Sequence, residues 1–179
     1  MSETEFPHQN DIVTRRLRLR RLRPADAALV ALYCGNEKLA HMTAVIPHPY
    51  PPGAAESFVE RTLASPASGL TWALDTGADG ENGMVGLISL KPGAPGEPEL
   101  GYWVAPAFWG TGYATEAVAG VVDWARAQGL KALTAVVFQD NAASMRVITR
   151  TGFGYRGETE VHSLARGGMV PSFLYRLEL

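Results

Sequence analysis

The strongest constraint on the fold is a helical segment that lies between two strand-like segments in the middle of the chain. Apolar residues recur at helical spacing over 113–128, between the strand-like runs 98–104 and 132–138. A helix that joins two consecutive strands returns the chain to the same end of the sheet, so the two strands run parallel. Such connections are almost always right-handed. The sequence therefore predicts one parallel strand pair with a helix packed across it.

The other segments predict a mostly antiparallel sheet around this pair. Short turn-rich stretches, "GADGEN" and "PGAPGE", separate three consecutive strand patterns, "LTWALDT", "MVGLISLK" and "PELGYWVA". Punctuation by proline, glycine and asparagine predicts further helices from Pro24 to Gly35, at 54–64 and from the "QDN" turn to about Thr151. Two more strand patterns lie near 153–162 and 171–179. The predicted fold class is α+β, with about seven strands in a mixed, mostly antiparallel sheet and about four flanking helices.

Near the N-terminus, six arginines stand within the nine residues 15–23. Such a cluster can mark a nucleic-acid surface. Apolar residues at 13, 17 and 19 alternate with these arginines, which is typical of a strand with one buried face and one charged face formed by Arg16, Arg18 and Arg20. The net charge of −2 gives the whole molecule no preference for polyanions. We therefore favour a structural strand and predict no DNA partner, and an RNA- or ribosome-binding module is a minor alternative.

Length and cysteine content indicate one domain that needs no disulfide. The 179 residues fit a single domain, predicted over 12–179 after a polar tail at 1–11. The single cysteine, Cys34, stands among apolar residues, which predicts a buried thiol and agrees with a reducing compartment. The N-terminal segment has no apolar stretch, and no run is long enough to span a membrane. We expect a soluble cytoplasmic protein without a membrane partner.

Two glycines, Gly110 and Gly112, stand where the strand 98–104 gives way to the following helix. The first turn of a helix has backbone N–H groups without partners and carries about half a positive charge. Glycines beside it allow an anion to approach the backbone, which indicates a phosphate site. The chain has no G-x-x-x-x-G-K-[ST] motif, and Thr115 interrupts a G-x-G-x-x-G motif, so an ATP or dinucleotide site is disfavoured.

The stretches "GYWVAPAFWGTGYATEA" and "NAASMRVITRTGFGYRGE" together resemble the GNAT acetyltransferase superfamily, in particular its RimJ/RimL-like branch. The resemblance extends from "RLRLRRLRPAD" to the terminal "FLYRLEL" and implies one N-acetyltransferase domain. It implies that acetyl-CoA binds where the two parallel strands splay apart. The diphosphate would then lie on the backbone of Trp109, Gly110, Thr111, Gly112, Tyr113, Ala114 and Thr115. Trp109 stands where the superfamily usually has glutamine or arginine.

The resemblance also implies the chemistry, which is direct attack of an amine on the thioester in a ternary complex. The backbone N–H near Val104 would polarise the thioester carbonyl. Glu99 is the expected base, although a solvated strand glutamate explains it equally well. Ser144 would contact the sulfur, because Ile148 occupies the position of the tyrosine that commonly serves as proton donor. Asn141 would hold the pantetheine arm, and helix capping is its structural alternative.

The acceptor is the least constrained part of the hypothesis. An α-amine is roughly a tenth neutral at pH 7, whereas a lysine amine is almost wholly charged, so a single carboxylate base favours a protein N-terminus. Polyamines, antibiotics and free amino acids are alternatives, and so is a non-catalytic acyl-CoA sensor. No metal-ligand spacing is present, and a homodimer is compatible with the sequence. The candidates for the acceptor cleft are Tyr33, Met42, His48, Tyr50, Tyr102 and the loop "ARGGMVPS".

Overall fold

The computed structural model describes residues 6–65, 68–77 and 83–179. Residues 1–5 of the predicted tail and 78–82 of the predicted "GADGEN" turn lie outside these ranges. The described strands are β1 Ile12–Val13, β2 Arg18–Arg21, β3 Leu70–Asp75, β4 Met84–Ala94, β5 Glu97–Val104, β6 Ala132–Phe138, β7 Gly154–Ser163 and β8 Gly168–Glu178. The described α-helices are α1 Ala27–Cys34, α2 Glu37–His41, α3 Ala54–Ala64, α4 Tyr113–Ala127 and α5 Ala142–Arg150.

The described strands form one eight-stranded sheet in the order β1-β2-β3-β4-β5-β6-β8-β7. All neighbouring strands are antiparallel except β5 and β6, which are parallel and are connected by α4. The predicted α+β class and the single parallel pair are therefore confirmed. The predicted count was lower because β1 has two residues and α2 has five, which is too short for either to show a periodic pattern.

The parallel pair opens into a gap. β5 and β6 are paired only at Glu99, which lies opposite Thr134. Beyond this position β5 stays paired with β4 as far as Val104, and β6 stays paired with β8 as far as Phe138. The carboxyl-terminal ends of the two strands therefore splay apart, as the resemblance implied.

Helices cover the two faces of the sheet and bury two apolar cores. On one face, α4 and α5 pack over strand residues that include Leu100, Val104 and Leu133. On the other face, α1, α2 and α3 pack over Ala73, Met84 and Leu87, with Trp103 against this second core. Full burial of one such aliphatic side chain contributes about 1.5 to 3 kcal/mol. Side chains alternate along a strand, so consecutive residues of β5 project to opposite faces of the sheet.

The prediction for the arginine strand is wrong in two positions. Arg20, expected on a solvated face, is only 3% exposed, and Val13, expected in the core, is 77% exposed. Helices cover both faces of the sheet around Arg20, so its guanidinium is buried and needs counter-charges, whereas Arg16 and Arg18 are exposed as predicted. Arg20 donates to both oxygens of Asp26 at 2.8 and 2.9 Å and to Asp75. These ion pairs, Asp26 first, hold the pKa of Arg20 above its ordinary value against the opposing effect of burial.

Two further features follow the sequence. Cys34 is buried as predicted, and burial raises the pKa of its thiol to about 12 although a hydrogen bond with Tyr50 opposes this. No helix among the described residues is long and apolar enough to cross a membrane.

Candidate active site

The turn between β5 and α4 has a backbone that only glycine adopts without strain. Gly110 has φ +77° and Gly112 has φ +84°, both in the left-handed region. A Cβ atom at Gly112 would also lie 3.3 Å from Nη2 of Arg16. The two glycines therefore allow the chain to turn sharply from a short 3₁₀ segment at Pro106–Phe108 into the first turn of α4.

This turn leaves several backbone donors available to a ligand. The N–H groups of Gly110, Thr111 and Gly112 make no hydrogen bond to the described part of the chain. Those of Ala114 and Thr115 lie in the first turn of α4, where no helix carbonyl precedes them. The Tyr113 N–H between them donates to Thr111 Oγ1 at 3.4 Å. Free N–H groups at the positive end of a 15-residue helix can form an anion site. We refer to residues 110–115 as the amide turn.

The register of β5 aims backbone groups into the gap. Ala105 donates its N–H to Val85 of β4 at 2.8 Å. Because N–H directions alternate along a strand, the N–H and carbonyl of Val104 point away from β4 and toward β6. The indole Nε1 of Trp109 donates to the Val104 carbonyl at 2.6 Å, which leaves the Val104 N–H facing the gap.

Two hydroxyl groups meet between β5 and α5 on the same face as α4. The Tyr102 hydroxyl lies 2.8 Å from Oγ of Ser144. Burial raises the pKa of Tyr102 to about 12, although its hydrogen bond with Ser144 opposes this. Ser144 is held in place because its N–H donates to Oδ1 of Asn141, the N-cap of α5, at 3.1 Å. Tyr102, which we predicted in the acceptor cleft, thus contacts the residue predicted to hold the sulfur.

An ion pair that the sequence did not reveal fixes the start of α4. Glu116 accepts from Thr14 Oγ1 at 2.6 Å and from the backbone N–H and Nε of Arg16 at 2.6 and 2.7 Å. Burial raises the pKa of Glu116, but these hydrogen bonds outweigh it and the net shift is downward. Arg16 also donates from Nη1 to the Thr111 carbonyl at 2.9 Å and lies over the Tyr113 ring at 4.7 Å.

Glu99 lies apart from these groups. It is exposed and stands at the closed end of the strand pair, opposite Thr134. Alternation along β5 places it on the face of Trp103 rather than on that of Tyr102. Five residues of strand, about 16 Å, separate it from Val104. The structure therefore does not bring Glu99 into contact with Ser144 or with the amide turn.

The other acceptor candidates lie on the face covered by α1 and α3. Tyr33 donates to the Met84 carbonyl at 3.1 Å and packs edge-on to Trp103. Tyr50 packs at the second core, and Met42 is 40% exposed. His48 packs edge-on to His41, and its Nδ1 is buried without a partner among the described residues.

The stretch predicted as the loop "ARGGMVPS" is a loop only as far as Gly167, because β8 begins at Gly168 and its residues pair with β7. The loop part lies against this face. Arg166 donates to the His41 carbonyl at 2.8 Å, forms an ion pair with Asp140 at 2.7 Å and lies over the Phe138 ring. The loop is therefore tied both to α2 and to the splayed end of β6. Across the described residues, no group of three or more His, Cys, Asp or Glu side chains is arranged to hold a metal ion.

The fold is that of an acyltransferase. Residues 16–154 match the family model described as an acetyltransferase (GNAT) domain. The chain belongs to the GNAT acetyltransferase family. Over 80 residues it is also 34% identical to YoaA of Bacillus subtilis (strain 168), described as an uncharacterized N-acetyltransferase. That match covers 44% of this chain and 45% of YoaA, less than half of either protein.

Solved structures share the fold at low sequence identity. RimL, a ribosomal L7/L12 alpha-N-protein acetyltransferase solved with coenzyme A, has a TM-score of 0.81 at 17% identity, over 95% of this chain and 98% of that chain. Mycobacterium smegmatis RimJ, solved with a CoA-disulfide, has a TM-score of 0.76 at 22% identity, over 94% and 86% of the two chains. These neighbours agree with the RimJ/RimL-like resemblance of the sequence.

Proposed function

We propose that the protein transfers an acetyl group from acetyl-CoA to a primary amine within a ternary complex. The amide turn beside the open gap between β5 and β6 is the observation that carries this proposal. Its free N–H groups suit the diphosphate of the donor. The gap admits an extended pantetheine arm, and the Val104 N–H that faces it suits the thioester carbonyl oxygen, where negative charge develops in the transition state.

The reaction requires no covalent enzyme intermediate. The lone pair of a neutral amine attacks the carbonyl carbon of the thioester, the carbon–sulfur bond breaks, and coenzyme A leaves as a thiolate. The amine nitrogen loses one proton to a base. Activity therefore requires three things of the protein: a hydrogen-bond donor at the carbonyl oxygen, a hydrogen-bond donor at the departing sulfur and a route for the proton.

The Tyr102–Ser144 pair is our candidate for the donor at the sulfur. A serine hydroxyl alone is a poor acid. With the pKa of Tyr102 raised to about 12, the phenol stays neutral and keeps its proton over the working pH range, so the two hydroxyls can stabilise the thiolate by hydrogen bonding. This pair would take the role of the proton donor, which a tyrosine at the position of Ile148 has in the wider superfamily.

Glu99 is our candidate for the proton acceptor. Its support is its place on the face of β5 that carries Trp103, next to the helices where the acceptor candidates lie. Because it stands at the closed end of the strand pair, it would act through water. An α-amine already presents roughly a tenth of its molecules in the neutral form at pH 7, so a distant base is sufficient. This requirement favours a protein N-terminal amine over a lysine side chain.

Thiol release from acetyl-CoA tests the proposal. A panel of N-terminal peptides, polyamines and aminoglycosides covers the acceptor classes, and calorimetry with coenzyme A measures donor binding. We expect binding, and turnover with at least one class. We expect Glu99→Gln to lower turnover without weakening coenzyme A binding. The control Glu97→Gln, two residues away on the same face, should leave turnover unchanged. No heat with coenzyme A and no turnover would refute the proposal.

The second candidate is a non-catalytic acyl-CoA sensor, which is favoured by the buried Ile148 in place of the usual tyrosine. Both functions predict coenzyme A binding. A sensor shows no turnover on any acceptor, and for it Glu99→Gln and Tyr102→Phe change nothing except affinity.

A further inference from the structure

Arg16, which no motif of the acyltransferase site includes, places a guanidinium beside the amide turn. Its Nη1 donates to the Thr111 carbonyl and its Nε to Glu116. Its Nη2 lies 3.3 Å from the point where a Cβ atom of Gly112 would stand. Among the described residues, no acceptor takes a hydrogen bond from Nη2. The arginine is therefore oriented by two fixed contacts, with one pair of donors still available next to Gly112.

The motif that forms the amide turn supplies no side-chain cation. Trp109 occupies the position of the usual glutamine or arginine. Its one side-chain N–H donates to the Val104 carbonyl, and its backbone N–H donates to the Pro106 carbonyl. A diphosphate bound to backbone N–H groups alone would have no full positive charge beside it from this motif. Arg16 reaches the turn from nearly a hundred residues earlier in the chain, and its donation to Thr111 spans 95 residues.

Resting on the function proposed above, we infer that Arg16 binds the donor through a hydrogen bond from Nη2 to a phosphate oxygen. Guanidinium-to-phosphate hydrogen bonds are charge-assisted and stronger than neutral ones. Glu116 acts as a positioning residue, because it accepts hydrogen bonds from both Nε and the backbone N–H of Arg16 and so fixes the direction of the guanidinium group. The ring of Tyr113 beneath the guanidinium supports the same orientation.

A purely structural role makes a different prediction. If Arg16 only joins the loop after β1 to α4, its removal lowers the free energy of unfolding of the free protein and weakens coenzyme A by an amount that salt does not change. If it contacts phosphate, the loss of coenzyme A affinity is electrostatic and shrinks as salt rises. Pantetheine, which has the thiol arm of coenzyme A without any phosphate, shows whether the gap itself is unchanged. A coenzyme A loss that salt does not change would overturn the phosphate contact.

The test measures the dissociation constants of coenzyme A and pantetheine by calorimetry for the wild type and Arg16→Gln. We expect coenzyme A to bind about tenfold more weakly and pantetheine to bind within about twofold of the wild type. The coenzyme A difference should shrink as salt rises from about 0.05 to 0.5 M, because the side chain is 39% exposed and its charge is screened. Arg126→Gln is the matched control, since Arg126 forms an exposed ion pair with Asp123 near the other end of α4.

Glu116→Gln gives an independent readout of the same inference. It keeps the arginine but loosens the guanidinium that Glu116 positions, so we expect coenzyme A to bind more weakly than to the wild type, by less than in Arg16→Gln. Under the structural role, both variants break the same contact and weaken coenzyme A to the same extent. If Arg16→Gln does not fold, Arg16→Lys is measured instead, with the same ligand pair and an intermediate loss. Equal losses for coenzyme A and pantetheine, or no loss for either, would overturn the inference, whereas absence of binding by the wild type would refute the proposed function instead.

Discussion

At the scale of single residues, the Tyr102–Ser144 contact gives the site a chemistry that the sequence did not show. Alternation along "PELGYWVA" places Leu100, Tyr102 and Val104 on one face, and the first and last of these are buried beneath α4. The sequence therefore predicted that Tyr102 lies on the same face of the sheet as Leu100 and Val104. Its partner was not, because the hydroxyl contact joins residues 42 positions apart.

Tyr102→Phe tests the role of this pair. It removes one hydroxyl from the position of the departing thiolate, so we expect turnover to fall by about tenfold to a hundredfold while coenzyme A still binds. Steady-state thiol release and calorimetry measure the two quantities. Tyr155→Phe removes an exposed hydroxyl on the edge strand β7, away from both proposed substrates, and it should leave turnover within about twofold. Equal effects of the two variants would argue against the pair.

The glycines of the amide turn allow a matched pair of substitutions. Gly112→Ala places a side chain at φ +84° and 3.3 Å from Arg16, whereas Gly129→Ala places one at φ +74° with nothing within 4 Å. Left-handed strain costs both variants about 1 to 2 kcal/mol in the free energy of unfolding. Only Gly112→Ala should also weaken coenzyme A, as measured by calorimetry beside chemical denaturation. An unchanged affinity would mean that the amide turn tolerates a Cβ atom at its centre.

At the scale of elements, the sequence was informative wherever a pattern was long or local. The segments α3 and β6 begin and end where the sequence predicted, and the glycine turn, Asn141 and Ser144 come from short motifs that the chain carries in one piece. The Arg16–Glu116 contact spans 100 residues, and no local pattern encodes it. The elements α2 and β1 are stabilised by their neighbours rather than by a periodicity of their own.

The burial of Arg20 between β2 and α1 has an energetic consequence. Asp26 is fully buried and accepts two hydrogen bonds from Arg20, so Asp26→Asn leaves a buried guanidinium with less counter-charge. We expect a loss of about 3 to 5 kcal/mol in the free energy of unfolding, because an uncompensated charge in the interior is costly. Asp11→Asn breaks the exposed pair with Arg18 and should cost less than about 1 kcal/mol. Guanidinium denaturation distinguishes these values, and a loss below about 1 kcal/mol for Asp26→Asn would contradict the buried pair.

At the scale of the whole molecule, the sheet separates the two substrates of the proposed reaction. The amide turn and the Tyr102–Ser144 pair lie with α4 and α5, while the acceptor candidates lie with α1, α2 and α3. The gap between β5 and β6 is the passage between these two sides. Three of the six N-terminal arginines, Arg16, Arg18 and Arg20, each pair with carboxylates.

Buried thiol and phenol groups on both sides of the sheet make the free energy of unfolding fall at alkaline pH. Burial raises the pKa of Cys34, of Tyr50 and of Tyr102 to about 12 in each case. These groups are neutral when protonated, so the folded state keeps protons that the unfolded chain releases from about pH 8.5 for cysteine and about pH 10 for tyrosine. The stabilisation is therefore complete below these values and is lost as pH rises toward 12.

The free energy of unfolding, measured by denaturant titration with tryptophan fluorescence at intervals from about pH 8 to pH 12, tests this dependence. We expect it to fall progressively, with Tyr102 accounting for about 2 to 3 kcal/mol near the upper end, since its pKa rises from 10.0 to about 12. Tyr102→Phe cannot release a proton there, so its stability curve should be flatter by that amount while its value at pH 8 changes little. A wild-type curve that stays level to about pH 11.5, or a variant curve parallel to it, would show that the phenol is not held protonated by the fold.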